Sequence, residues 1–280
     1  MRPAILLAAA ALAAAADDAD PWIFSGKLGA FLQNVASHNA EVSRDPAIAA
    51  SSDSLAWTAS GEARLIWLGY PGRFEQRLEA DYGRIRYENA SGWIENTDDI
   101  SYEATYEGFL HAPHFLYAGG TVDTVFTGPE PDREFADPLL AKLSSGYGQR
   151  YEDLLPESDA LVWRLGLYAR KRWEDGAPRY QTDIDAGPEA LIRYERRQSR
   201  DVTYHAQWET YGEVDDPRHV TCVGQAGLSV RVARRMAVEL KLRCYYESRP
   251  REAAATDPGY GVWSLREDAQ VGLVWETGGS

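Results

Sequence analysis

The side chains in this sequence best suited to chemistry are charged, and they recur at every second position. Glu75, Arg77, Glu79 and Asp81 form one row, and Glu239, Lys241 and Arg243 form another. Arg164, Asp183, Asp185, Glu189 and Arg193 continue the pattern in the middle of the chain, and His205 stands among Thr203, Gln207 and Glu209. Rows of mixed sign at a spacing of two suit a hydrated interior in which charge selects the ions that pass. They suit equally a closed interior in which long Arg and Glu side chains pair and fill the space. His205 would add either a proton-sensitive group or an ordinary hydrogen-bonding one.

Other chemistries find less support. His111 and His114 flank Pro113 at a spacing open to a metal, but no cysteine or second histidine pair completes a site, so the segment reads as a turn. The acidic run Glu130, Asp132, Glu134 and Asp137 lacks the regular alternation of a calcium loop. No nucleophile elbow is present, so no catalytic set is assigned and the chain does not read as an enzyme. No metal or cofactor is expected. A formal charge of -14 argues against nucleic acid, which needs clustered Lys and Arg. Two cysteines, Cys222 and Cys244, lie almost symmetrically about a turn near Ala233. A bridge between neighbouring strands and a pair of free thiols are both open readings.

These residues need extended segments to position them, because a period of two is strand periodicity. From Leu55 to Trp67 the odd positions are uncharged (Leu55, Trp57, Ala59, Gly61, Ala63, Leu65, Trp67), while the even ones include Thr58, Ser60, Glu62 and Arg64. Ile100, Tyr102, Ala104 and Tyr106 oppose Ser101, Glu103, Thr105 and Glu107 in the same manner. About twelve such segments begin near Trp22, Ser54, Arg73, Asp99, Phe115, Leu139, Ala160, Tyr180, Val202, Val220, Met236 and Val262. An even number suits a barrel closed by antiparallel strands.

A soluble β-sandwich alternates too, so the tryptophans decide. Trp57 and Trp67 share the apolar face ten positions apart, about 25 Å along a membrane normal for a tilted strand. Trp163 and Trp173 repeat the spacing, and Trp208, Tyr246, Trp263 and Trp275 also take apolar parity. Rings at strand ends with Ala, Gly and Leu between them are the pattern of aromatic girdles at two membrane interfaces. The connections alternate as well. Long ones run through 34–53, 88–98, 127–138, 174–179, 213–218 and 248–259, and mostly shorter ones fall near 68–72, 111–114, 153–158, 197–201 and 233–235. The expected fold is all-β, a single antiparallel up-and-down transmembrane β-barrel of about twelve strands, with lipid as its surround.

Three features fit poorly. Pro188 removes a ladder donor from a strand, and Glu267 puts a charge on the lipid side of the last one; a bulge or a position above the bilayer is expected at each. The third is the end of the chain, where Trp275 is followed by Glu276-Thr277-Gly278-Gly279-Ser280 rather than supplying the terminal aromatic that barrel-assembly machinery reads.

At the other end, Arg2 precedes an apolar run from Ala4 to Ala16 and then Asp17-Asp18. That is the layout of a cleaved export signal over residues 1–16, leaving 17–280 as the barrel. The run is too short to span a bilayer as a helix.

The segments 22–33 (WIFSGKLGAFLQ), 98–108 (DDISYEATYEG), 117–128 (YAGGTVDTVFTG) and 135–151 (FADPLLAKLSSGYGQRY) resemble those of uncharacterised bacterial outer-membrane barrels related to proteins labelled salt-stress-induced. The resemblance implies a barrel in a Gram-negative outer membrane and no established substrate. The expectation for function is a narrow passive channel for small polar solutes or ions, and the alternative is a non-conducting, plugged barrel with a structural, adhesion or envelope-stress role.

Overall fold

A computed structural model describes residues 21–44, 48, 54–86, 94–125, 138–152, 159–174, 183–199, 201–251, 253 and 259–277. The proposed export signal and the acidic loop at Glu130–Asp137 lie outside the described residues. Twelve strands follow one another: β1 (Trp22–His38), β2 (Ser54–Gly69), β3 (Gly72–Arg86), β4 (Ile94–His111), β5 (His114–Thr124), β6 (Leu139–Glu152), β7 (Asp159–Trp173), β8 (Asp185–Arg197), β9 (Val202–Gly212), β10 (Val220–Ala233), β11 (Met236–Glu247) and β12 (Ser264–Thr277). Each pairs antiparallel with its chain neighbours, and β12 closes on β1 from Gly26↔Thr277 to His38↔Leu265. Closure leaves no edge strand, so every ladder amide and carbonyl can be satisfied without water.

Most strand starts agree with the alternation in the sequence. Two differ. β4 begins at Ile94, five residues before the expected Asp99, and β8 begins at Asp185 rather than near Tyr180. In both places polar residues extend or replace the alternating pattern, so periodicity alone marks no boundary.

Three irregularities interrupt the ladders, at Gly83/Arg84, Phe109/His111 and Arg231/Ala233. None falls at Pro188 or Glu267, so the bulges expected there are absent. Pro188 pairs with Leu167 on β7, and the β8–β9 ladder begins one residue later at Glu189, so its missing amide sits at the edge of that ladder. Glu267 stands in unbroken register between Ala36 and Leu242.

The ends of the barrel differ. One carries short turns, of which Tyr70-Pro71 and Ala112-Pro113 contain cis bonds. The other carries longer connections, three of which lock together. Asn39 donates to the Trp263 carbonyl (2.8 Å), the Ser43 and Ser264 hydroxyls meet at 2.7 Å, and Arg44 lies 4.2 Å from the Tyr260 ring centre. Beside them His219 is buried between Glu213 (2.5 Å) and Glu247 (2.9 Å), and Glu247 also takes the Tyr245 hydroxyl (2.6 Å) and Arg44 (3.3 Å). Burial pushes the His219 pKa down, but its hydrogen bonds to the two carboxylates outweigh that and hold it at about 9.

Candidate functional site: the charged lumen

Parity sends every second residue inward, and register then decides which inward residues meet. Glu75, Arg77, Glu79, Asp81, Arg164, Asp185, Glu189, Arg193, His205, Glu239, Lys241 and Arg243 all lie on the inner face of their strands. Asp183 does not. It occupies an exposed bend before β8, because that strand begins two residues later.

The lumen is asymmetric. Along β4 to β8 it is packed with ion pairs. Glu107, only 2% exposed, accepts hydrogen bonds from Arg150 (2.8 Å) and Arg164 (2.8 Å). Tyr117 donates to Glu189 at 2.7 Å, and Lys142 lies 3.7 Å from both Glu189 and Glu209. Arg170 holds Asp185 at 2.9 Å. Burying charges is tolerable here because each is paired and hydrogen-bonded.

Toward β3, β9 and β11 the lumen is open to solvent. The side chains of Glu79 and Lys241 are 43% and 42% exposed, and His205 is exposed as well. Arg77 joins Glu62 (3.1 Å) to Glu79 (2.5 Å), while Lys27 and Gln270 hold Glu239 at 2.6 and 2.7 Å.

Ion pairs cross the lumen in the short-turn half of the barrel. Arg64 on β2 donates to Glu75 at 2.6 Å and reaches to 3.9 Å from Glu195 on β8, the strand standing opposite in the ring. Arg193 on β8 lies 3.5 Å from Glu103 on β4, and Arg164 lies 3.9 Å from the same carboxylate. Glu103, Glu107, Arg150 and Glu195 were not singled out from the sequence. Their inward parity was readable, but pairing across the lumen depends on strands far apart in the chain.

Outside, the surface is inverted relative to a soluble protein. Leu28, Leu143, Leu165, Leu167 and Leu240 are exposed between two levels of aromatic rings. At the short-turn end one ladder row runs Trp22, Trp67, Phe74, Tyr106, with Trp163 against Tyr147 (5.6 Å) and Trp275 farther round. At the long-loop end Trp57 meets Tyr82 (5.9 Å), Trp208 and Tyr246 meet Trp263 (5.9 and 5.0 Å), and Trp173 lies under Lys171 (5.6 Å). Sequence parity had placed Trp57, Trp67, Trp163, Trp173, Trp208, Tyr246 and Trp275 on this face. An apolar belt between two aromatic levels around a charged interior is satisfied by a hydrocarbon surround.

The remaining candidates resolve into local structure. His111 and His114 stack at 4.4 Å, and His114 bonds the Tyr147 hydroxyl and Gln149. Among the described residues no group of three or more His, Cys, Asp or Glu is placed to hold a metal ion. Cys222 and Cys244 both face outward and are free. They stand two residues out of register, Cys222 opposite Tyr246 and Cys244 opposite Gly224, and such diagonal neighbours lie beyond disulfide reach.

No protein-family model matches the chain, and no curated protein matches it. Solved structures similar to it include an outer membrane channel from Pseudomonas putida F1, 16% identical over 93% of this chain and all of that one, with a TM-score of 0.45. The NanC porin is 10% identical over 87% of this chain and 98% of its own, with a TM-score of 0.42. An active-site mutant of outer membrane phospholipase A from Escherichia coli is 11% identical over 95% and 96%, with a TM-score of 0.46. The architecture and surface described above stand on their own, and they are those of an outer-membrane β-barrel.

Proposed function

We propose that this barrel is a narrow passive channel for small polar solutes or ions, with its throat at the crossing of Arg64, Glu195, Arg193 and Glu103. The observation that carries this reading is the solvent-exposed, charge-lined side of the lumen, where Glu79 and Lys241 remain more than two-fifths exposed beside an otherwise packed interior. Charges in such a passage replace part of an ion's hydration and discriminate by sign and size. The reading extends to kinship with the salt-stress-induced barrels that the sequence motifs resemble, and to insertion by barrel-assembly machinery.

One observation favours a second reading. Ion pairs reach across the lumen between opposed strands, as in Arg64–Glu195 at 3.9 Å, and would close a rigid barrel serving a structural, adhesion or envelope-stress role. Recording from purified protein in planar bilayers separates the two. Discrete conductance steps are expected for the channel, and their absence would leave only the plugged barrel.

A further inference from the structure

We propose that the throat holds a binding site for a small organic carboxylate, in which Glu195 occupies the anion's place until the solute displaces it. The site deepens the channel reading and rests on it for access from either end of the lumen.

Four guanidinium groups, those of Arg64, Arg150, Arg164 and Arg193, line one cavity there, which with Glu195 in place leaves about 20 Å³ free, room for a water, so a solute enters only as Glu195 leaves. Arg150 is held by Glu107 through Nε and Nη2 in a bidentate grip, with contacts of 2.8, 3.0 and 3.1 Å. The other three have donors to spare, because a guanidinium carries five N–H groups. Arg164 gives Nη2 to Glu107, yet its buried Nε has no hydrogen-bond partner, in a side chain only 10% exposed. Arg193 spends Nε on Gln207 at 2.7 Å and stands 3.5 Å from Glu103. Arg64 spends Nε on Glu75.

The carboxylates that line the cavity are unequal. Glu75 is gripped by Arg64 at 2.6 Å and Arg73 at 2.9 Å. Glu195 is the loose one, 41% exposed, with its Arg64 contact at 3.9 Å, beyond hydrogen-bond distance. An incoming carboxylate can take two parallel N–H bonds from one guanidinium, while the Glu195 side chain swings into the open lumen. Ala160, Val162 and Leu191 complete the lining and offer an apolar surface to the solute's hydrocarbon body. A purely inorganic anion would leave that surface unused.

The test is equilibrium binding by calorimetry on the full chain folded in detergent micelles, with benzoate as probe, benzamide as its neutral counterpart and empty micelles as background. Benzoate is expected to bind and benzamide not to bind. Glu195→Gln, which frees the guanidiniums, should tighten benzoate by about fivefold or more, and Arg64→Gln and Arg193→Gln should each weaken it by at least about tenfold. Heat-modifiable migration on gels reports folding of each variant. Where Arg193→Gln fails to fold, Arg193→Lys keeps the charge, loses the planar fork and should still weaken binding. Failure of benzoate to bind both the native chain and Glu195→Gln overturns the proposal, as does binding that the arginine variants leave unchanged. Bilayer recording on the same preparations keeps the two readings apart: conductance without benzoate binding removes the site alone, and binding without conductance removes the channel alone.

Discussion

Tyr117 on β5 reaches Glu189 on β8, donating its hydroxyl at 2.7 Å across two intervening strands. The row between them is Gly146 on β6 and Gly166 on β7, each paired directly with the next. A Cβ at Gly166 would come within 2.2 Å of the Tyr117 hydroxyl and 2.3 Å of the Ser145 carbonyl oxygen. The two glycines therefore form a trough that lets one aromatic side chain tie together four strands of the packed wall.

Gly166→Val fills that trough. It should destabilise the barrel by about 1–3 kcal/mol, the usual cost of overpacking, and expose the Tyr117 ring to the lumen. Urea-driven unfolding from lipid vesicles, followed by tryptophan fluorescence, measures the loss; an unchanged midpoint would mean that the trough is not filled as described.

The buried Glu107 makes a sharper case. Replacing it with Leu leaves Arg150 and Arg164 facing each other with no carboxylate between them, and removing one partner of a buried pair costs about 3–5 kcal/mol. The same unfolding measurement applies. A triple variant that also removes both arginines, Glu107→Leu with Arg150→Leu and Arg164→Leu, should recover much of the loss, since the penalty lies in the stranded charges.

On the outer face the sign of the rule reverses. Leu167 points outward midway between the Trp163 and Trp173 levels and is 65% exposed, between Ser145 and Pro188 on the neighbouring strands. Leu167→Arg should cost about 2–4 kcal/mol in bilayers, as charge at the membrane midplane does. Lys241→Gln, on the open side of the lumen, should change stability by less than about 0.5 kcal/mol. Equal effects of the two would contradict the assignment of inside and outside.

The sequence carried this polarity because parity is a local property: Trp57 and Trp67 take one face and Glu62 and Arg64 the other whatever their partners. What it could not carry is register. Tyr117 and Glu189 are 72 positions apart, and nothing near either marks the other. The same holds for Arg64 and Glu195, which define the throat only after β2 and β8 are set opposite each other. Asp183 shows the limit of parity itself, since alternation continues on paper past the point where the strand ends. Cys222 and Cys244 are symmetric in sequence about Ala233, but the two strands pair about position 234, which sets Cys222 opposite Tyr246 and Cys244 opposite Gly224.

That displacement has a direct chemical consequence. Thiol titration of the denatured, unreduced protein should find two reactive groups, and reductant should leave its gel mobility unchanged. One missing pair of thiols would require Cys222 and Cys244 to approach more closely than their register allows.

The clasp over the long-loop end should be sensitive to pH through His219. Its ordinary pKa is 6.5, and in the folded protein it is held at about 9 by Glu213 and Glu247. A group whose folded pKa is raised binds its proton more tightly in the native state, so its contribution to stability is complete below pH 6.5 and is lost as pH rises through 9. Arg44 and Tyr245 also face Glu247 from the first long connection and from β11, while Asp216 and Arg218 belong to the loop that carries His219. Amide hydrogen exchange across residues 213–219, corrected for intrinsic rates, should show protection that is constant below pH 6.5 and falls toward pH 9. In His219→Gln the protection should be low throughout and lack that fall. A native profile that rises with pH over this range would contradict the charge assigned to the imidazole, since only its protonated form donates to both carboxylates at once.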